Sequence, residues 1–583
     1  MGYGSGAVGM ISNFGKRLDL SGRMTGVVLA LSLSILGSSM TSAFAAQAQP
    51  WRITQETWSE ADEHGYSDFV AAMGAADCWN VDNCLESEAN PYRHRHGSMR
   101  FRADCADFPY LFRAYYAWMN GLPFAYQNGV LPQSGWTRDI RYTRSGNRVV
   151  SRKAIPATQN GINAASILVD LRSAISTGSY RHHATANDQT YFTDMYSPEI
   201  GRDAIRPGTI VYDVNGHVVL VWRVEDDGRV LTISAHPDNS VSRSFYGRNF
   251  LRTHPRQGTG FKDWRPIRLV GARRLADGTL VGGHIEATPN EAIQNFSLMQ
   301  YVGTETTDTS TRALDQWRQA TFVRDGQPLD YYHYVRAAMA RGNLTMEPVH
   351  EIRSSMRSLC NDVRARKQAV DAAIGNGIDK VAAPGRLPQN IYGTFGYWEF
   401  YSTPSRDARL KTAMKEQRDH IESLIEMHRQ GASTVTYEGA DLIGDLINAY
   451  DEESANCVTT YVRSNGVPVR LTLNDVVNRV YDLSFDPYQC IEKRWGASDP
   501  AEAASCQDGP AKDQWYRAQR FLRNQIDRTY DVDMGYTPAQ LEAGPHDLFS
   551  GRGVAEGPDV DVRAYLLSLQ RRRQASVDRP AVR

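Results

Sequence analysis

Neither sign of charge is in excess in this sequence of 583 residues, where 65 basic side chains face 66 acidic ones for a net charge of −1. That balance gives no reason to expect nucleic acid as a partner, since a phosphate backbone is held by a concentrated positive surface. Long apolar runs are missing beyond the N-terminal leader, so no stable membrane span is expected once the leader is removed. There is no HExxH and no CxxC, and the lone glycine-rich turn Gly258-Thr259-Gly260 has no phosphate-loop lysine. No metal, nucleotide or other cofactor is therefore expected. Internal repeats are lacking. Cysteine is scarce as well, and its number, 7, is odd.

Six of the cysteines fall into pairs. Cys78 and Cys84 lie close together, Cys490 and Cys506 bracket a polar loop, and Cys360 and Cys457 remain in the later half. Cys105 is left over. An exported protein normally oxidises its thiols, and an unmatched one points to a reactive thiol or an intermolecular bridge. Export is read from Lys16, Arg17 and Arg23, which precede an apolar run from Met24 to Leu36 and the cleavage site Ala43-Phe44-Ala45, with Ala46-Gln47-Ala48 as a second choice. Residues 1–48 thus read as a signal peptide, which predicts a periplasmic or secreted protein. The alternative, an uncleaved anchor, is opposed by the short run and by Ser32, Ser34, Ser38 and Ser39, which dilute it. Translation from Met10 would shorten the long leader, and no cysteine closely follows the run to accept a lipid.

The length suggests about three domains. Residues 51–290 are aromatic and loop-rich at first, with helices predicted at Ser67–Ala76 and Phe108–Met119; in the second, Phe108, Leu111, Phe112, Tyr115 and Trp118 keep helical spacing. Residues 137–205 read as an insertion with one helix near Ile162–Ile175. β-Branched runs then predict strands at Thr209–Tyr212, Val218–Val224, Arg229–Ser234 and Pro266–Val270. From 300 to 540 the periodicity is helical, around Ile352–Ile374, Leu410–His428, Leu442–Tyr450 and Trp515–Ile526, and this stretch reads as a separate helical domain. Its two disulfides are expected to contribute about 2–4 kcal/mol each by restricting the unfolded chain. Residues 551–583, with Arg571-Arg572-Arg573, read as a poorly ordered tail.

The candidate chemistry centres on Cys105, in Asp104-Cys105-Ala106-Asp107-Phe108 directly before the second helix. A helix entry favours thiolate through the positive end of the macrodipole. Pro109 is best accommodated if Asp107 caps the helix and the proline occupies its first turn, which sets Cys105 a residue or two before the helix. A thiol hydrolase also needs an imidazole to take the thiol proton and a third group to orient that imidazole. Gly216-His217 opens a strand, and Ala235-His236 closes the next one, close enough across a hairpin for His236 to bond the far nitrogen of His217. Asp238 and Asn239 are substitutes for that role.

At these residues the chain resembles the NlpC-type cell-wall cysteine peptidases, a branch of the papain-like fold. That family has Asp-Cys-Ser-Gly-Phe opening a helix, a Pro-Gly-Asp-Leu-Val-aromatic strand, Gly-His-Val-Gly-Ile-Tyr, and His-Ala at the end of the next strand. The matching pieces here are Asp104–Phe108, Pro207–Tyr212, Gly216–Val221 and Ala235-His236, in that order. Departures are Ala106-Asp107 in place of Ser-Gly, the reversed order at Ala235-His236, and Pro109. The resemblance covers roughly 95–275. It implies a papain-like cysteine hydrolase domain followed by a mainly helical domain, α+β in class. Cys105 would be nucleophile, His217 general base and His236 its orienter, acting on peptidoglycan peptides or another amide substrate.

Competing roles stand beside each of these. Cys105 can be a buried inert thiol, His217 a hairpin-edge histidine, and His236 part of a His-Pro-Asp turn. His94 and His96 read as a solvated basic loop. The aromatic run Tyr392–Tyr401 can stack on sugar rings, although core packing is the commoner role. A non-catalytic wall-binding or protein-binding scaffold is the alternative function, and transfer of the acyl group to an amine a third.

Overall fold

A computed structural model describes residues 48–577 except 136, 138, 215, 249, 251, 393–395, 527–533 and 546–550. The expected leader lies outside the described residues save for Ala48. The described residues belong to one compact unit, and their architecture is α+β.

Helix α1, Glu60–Ala75, starts earlier than its apolar periodicity implies because Ser59 caps it. The Ser59 hydroxyl accepts from the Asp62 N–H at 3.2 Å and the Asp62 carboxylate accepts from the Ser59 N–H at 2.9 Å, a reciprocal capping box. Helix α2, Asp107–Asn120, ends at Gly121 in the left-handed region, φ 66°, where a side chain would be strained. Every residue of α2 from Asp107 to Met119 is buried, so it is the central helix of its half rather than an amphipathic surface one.

A six-stranded antiparallel sheet holds the motifs found in the sequence. Its strands are β1 (Met195–Tyr196), β2 (Ile210–Asp213), β3 (His217–Val224), β4 (Val230–Ala235), β5 (Val241–Phe245) and β6 (Gly260–Trp264), in the spatial order β1-β6-β2-β3-β4-β5. The unbroken apolar run Val218–Trp222 has a simple cause: β3 is covered on both faces. Val218, Leu220 and Trp222 join the core built on α1 and α2, whereas Val219 and Val221 join a core with Tyr334, Val335, Ala338 and Met339. Those four belong to a helix at Tyr331–Met339, beyond the boundary anticipated at 290–300.

The expected insertion contains a helix at Ala164–Ala174 and braces both ends of the site. Tyr180 donates to the Ala106 carbonyl, and Arg181 donates to Tyr212 Oη at 3.1 Å and to the Val214 carbonyl at 3.0 Å. Beyond residue 340, long helices at Pro348–Gly375, Pro404–Arg429 and Leu442–Asn456 enclose a further core. All three expected cysteine pairs are disulfides, Cys78–Cys84, Cys360–Cys457 and Cys490–Cys506.

Three expectations change. The predicted helix over Trp515–Ile526 is two short ones, Pro510–Ala518 and Arg520–Asn524, separated at Gln519, whose side chain donates to the buried Asp486 at 2.7 Å. The stretch read as wholly helical also contains a hairpin, Val458–Val462 with Pro468–Thr472. The tail read as poorly ordered instead carries a helix at Val562–Val577, anchored because Val560, Val562 and Leu566 are buried in the core of the later half. Among the described residues no helix is long and apolar enough to cross a membrane.

Candidate active site

The turn that carries Cys105 is built by two aspartates. Helix α2 begins at Asp107, and its cap residue is Ala106, which has no side chain able to accept. The capping expected of Asp107 falls to Asp104: its Oδ1 accepts from the Ala106 N–H at 2.7 Å and from the Asp107 N–H at 3.2 Å. Asp107 answers by accepting from the Asp104 N–H at 2.5 Å. Pro109 sits in the first turn, where its missing N–H costs nothing. Asn239 ties this turn to the β4–β5 connection, accepting from the Ala103 N–H and donating to the Phe101 carbonyl, each at 3.1 Å. Its φ of 70° is one that asparagine tolerates better than most residues.

These ties bring the Cys105 sulfur against the start of β3. Sγ lies 4.0 Å from the Gly216 carbonyl oxygen, and the Val218 N–H donates toward it. Gly216 is required there, because at φ 78° an added Cβ would be strained and would meet Tyr142 at 3.2 Å. His217 opens β3 opposite Asp213 and, by strand alternation, shares its face with Val219 and Val221. His236 follows β4. The two imidazoles are nearly parallel, 10° between planes, with centroids 6.3 Å apart.

His236 does not spend its nitrogens as the sequence suggested. Nε2 lies 2.8 Å from Ser242 Oγ, and Nδ1 lies 3.3 Å from an Arg409 nitrogen, which can only donate. The ring is therefore a neutral tautomer with its proton on Nε2. Burial, then Arg406, Arg409 and His217, holds it well below the ordinary imidazole range. Asp238, the proposed substitute, is occupied by Arg406 at 2.7 Å and by Ser240. Burial would raise its carboxyl, but Arg406 and the Ser240 bonds keep it below the usual range.

Electrostatics at the sulfur reverse the sequence expectation. Burial, followed by the neighbouring Asp104 carboxylate, pushes the Cys105 thiol up to about 12, against the pull of the Val218 N–H and Arg409. The sulfur precedes the helix rather than capping it, so the macrodipole is a weak counterweight. At neutral pH the resting group is the thiol.

Cys105, His217 and His236 line one cavity of ≈ 120 Å³. Arg141 and Tyr142 of the insertion contribute to it, and residues some 300 positions away in sequence form its outer wall. That wall is a short helix, α3 in the numbering of site elements, at Tyr397–Tyr401, followed by α4 at Pro404–Arg429. Its main contacts are the arginines Arg406 and Arg409, which sequence reasoning missed. A signal was available: both fall in the first turns of α4, where the dipole disfavours cations. The aromatic run divides, with Trp398 buried at 4% exposure and Tyr397 and Phe400 exposed at 56% and 42%; residues 393–395 lie outside the description.

A second, larger cavity of ≈ 1020 Å³ shares His217 and Arg409 with the first. The expected basic loop also differs: His94 is exposed, but His96 is buried edge-on against Phe101, 5.0 Å between centroids. Among the described residues, one group of side chains has metal-ligand spacing, Cys490, Glu492 and Cys506, and its two sulfurs are already bonded to each other. Comparison with protein-family models, curated proteins and solved structures finds no match.

Proposed function

We propose that this chain is an exported, papain-like cysteine hydrolase of NlpC type that cleaves amide bonds, with the peptides of peptidoglycan as substrate. One observation carries the reading: the lone cysteine outside the disulfides shares a cavity with His217 and His236. The order of the sequence motifs supports it, and three disulfides fit an oxidising compartment.

On this reading His217 takes the thiol proton as Sγ attacks the amide carbonyl. The tetrahedral adduct collapses as the imidazolium protonates the departing amine, leaving a thioester on Cys105. Water, deprotonated by His217, then attacks the thioester; the acid leaves and the thiol is restored. Because the resting sulfur is protonated, general-base help coincides with attack instead of preceding it. His236 acts through its neutrality: a second positive ring beside His217 would oppose formation of the imidazolium.

Incubation of the mature chain with wall peptides, beside its Cys105→Ala variant, tests the proposal. New amine and acid termini are expected from the unmutated chain alone, and equal product from both overturns it. A high thiol pKa in a cavity of ≈ 120 Å³ favours a second reading, a non-catalytic scaffold that binds wall material or a protein. Equal retention of both forms on wall material, without cleavage, is the outcome that reading predicts.

A further inference from the structure

The larger cavity lies where the sheet stops behaving as an apolar surface. Along β4 and β5, the face that meets the later helices carries hydroxyls: Thr232 pairs with Ser244 at 3.1 Å and Ser234 with Ser242 at 3.3 Å. Opposite them stand Ser355, Ser358 and Asp362 on the helix Pro348–Gly375, and Thr412 and Glu416 on α4. A hydroxyl-covered sheet face cannot form an apolar seam with helices, and the space between stays open as a chamber of ≈ 1020 Å³. Its size is at the upper end of small-molecule sites, and apolar side chains such as Phe250 and Leu359 line it beside these hydroxyls and acids.

The charges in this chamber are unevenly matched. Lys415 is paired with Asp419 at 2.5 Å, Arg248 with Asp330 at 3.1 Å, and Arg409 faces His236. Asp362 and Glu416 take part in no hydrogen bond or ion pair among the described residues. Burial raises both carboxyls, Asp362 to about 7 and Glu416 well above its ordinary range. Arg409 acts on Asp362, and Arg248 and Lys415 on Glu416, only from beyond ion-pair distance, so both carboxyls keep acceptor oxygens open to the chamber for a cation that arrives with a ligand.

We propose that this chamber binds a ligand bearing an alkylammonium group, with Asp362 and Glu416 as the acceptors of its N–H donors. His217 borders both cavities, so an amine-bearing chain held in the chamber is anchored beside the ring that also lines the Cys105 cavity. The consequence for catalysis, an amine-bearing substrate, rests on the hydrolase reading; the binding site does not.

Cadaverine is the probe, titrated calorimetrically into the full chain carrying Cys105→Ala, with glutarate and pentanediol as acidic and neutral controls of equal length. Saturable cadaverine binding is expected, weakened at least tenfold by Asp362→Asn with Glu416→Gln. Absence of saturation, equal binding of either control, or undiminished binding by the double variant overturns the proposal. Should that variant fail to fold, carbodiimide coupling of cadaverine to the otherwise unmutated protein decides: label on Asp362 or Glu416 supports the site, and label confined to exposed carboxylates refutes it. Cadaverine binding without Cys105-dependent cleavage of wall peptides would sink the hydrolase reading alone.

Discussion

At Cys105 a carboxylate and an arginine pull the thiol in opposite directions, and burial decides between them. Asp104 is part of that balance and also caps the turn, so Asp104→Asn separates the two jobs: asparagine keeps an acceptor for the Ala106 and Asp107 N–H groups but removes the charge. Alkylation of Cys105 at neutral pH is expected to speed up by roughly 3–10-fold, read by iodoacetamide kinetics with mass spectrometry. An unchanged rate would mean that the sulfur does not feel Asp104. If His217 is the base, His217→Ala lowers wall-peptide cleavage by about 10²–10⁴-fold with the fold intact. The residues in the site were legible because their types and order are distinctive. What each nitrogen bonds was not, since Ser242, Arg406 and Arg409 reach His236 and Asp238 from other strands and helices.

At the scale of elements, the outer wall α3–α4 is held by the Arg406–Asp238 pair, whose side chains are 10% and 12% exposed. Loss of one partner strands a buried charge and costs about 3 kcal/mol. Arg406→Met together with Asp238→Asn removes both charges and tests the contact itself. Alkylation of Cys105 is then expected to accelerate while melting changes little; an unaltered rate would show that the wall does not limit access to the sulfur. Most elements were legible from periodicity, with ends set by caps such as Ser59 and Gly121. The missed hairpin had its signal, Asn465-Gly466 between β-branched runs, but lay inside a stretch dominated by helical spacing. The last helix was hidden by its arginines, which outnumber the few buried positions that dock it.

Across the whole molecule, packing at long range is what sequence pattern could not supply. Nothing local announces that Val335 would cover Val219, or that residues near 400 would wall in residue 105. The same association creates the chamber acids, which carry a pH signature. Asp362 has a folded pKa of about 7, above its unfolded value near 3.8. Its favourable contribution is therefore present below the unfolded value and is lost as pH rises through about 7. Asp362→Asn is expected to raise the melting temperature by roughly 1–3 °C at pH ~8 relative to its effect at pH ~5, measured by calorimetry. The same gain at both pH values would show that this carboxyl is not held protonated.

Chain order gives the outer wall a further meaning. Cys78, Cys84 and Cys105 are synthesised long before residues 391–409 exist, so an emerging chain passes through a stage with three thiols and no barrier between them. Cys78 and Cys84 are separated by 6 positions, and so short a loop closes at little entropic cost. Proximity along the chain thus spares the third sulfur from mispairing until the late helices arrive to shut it in.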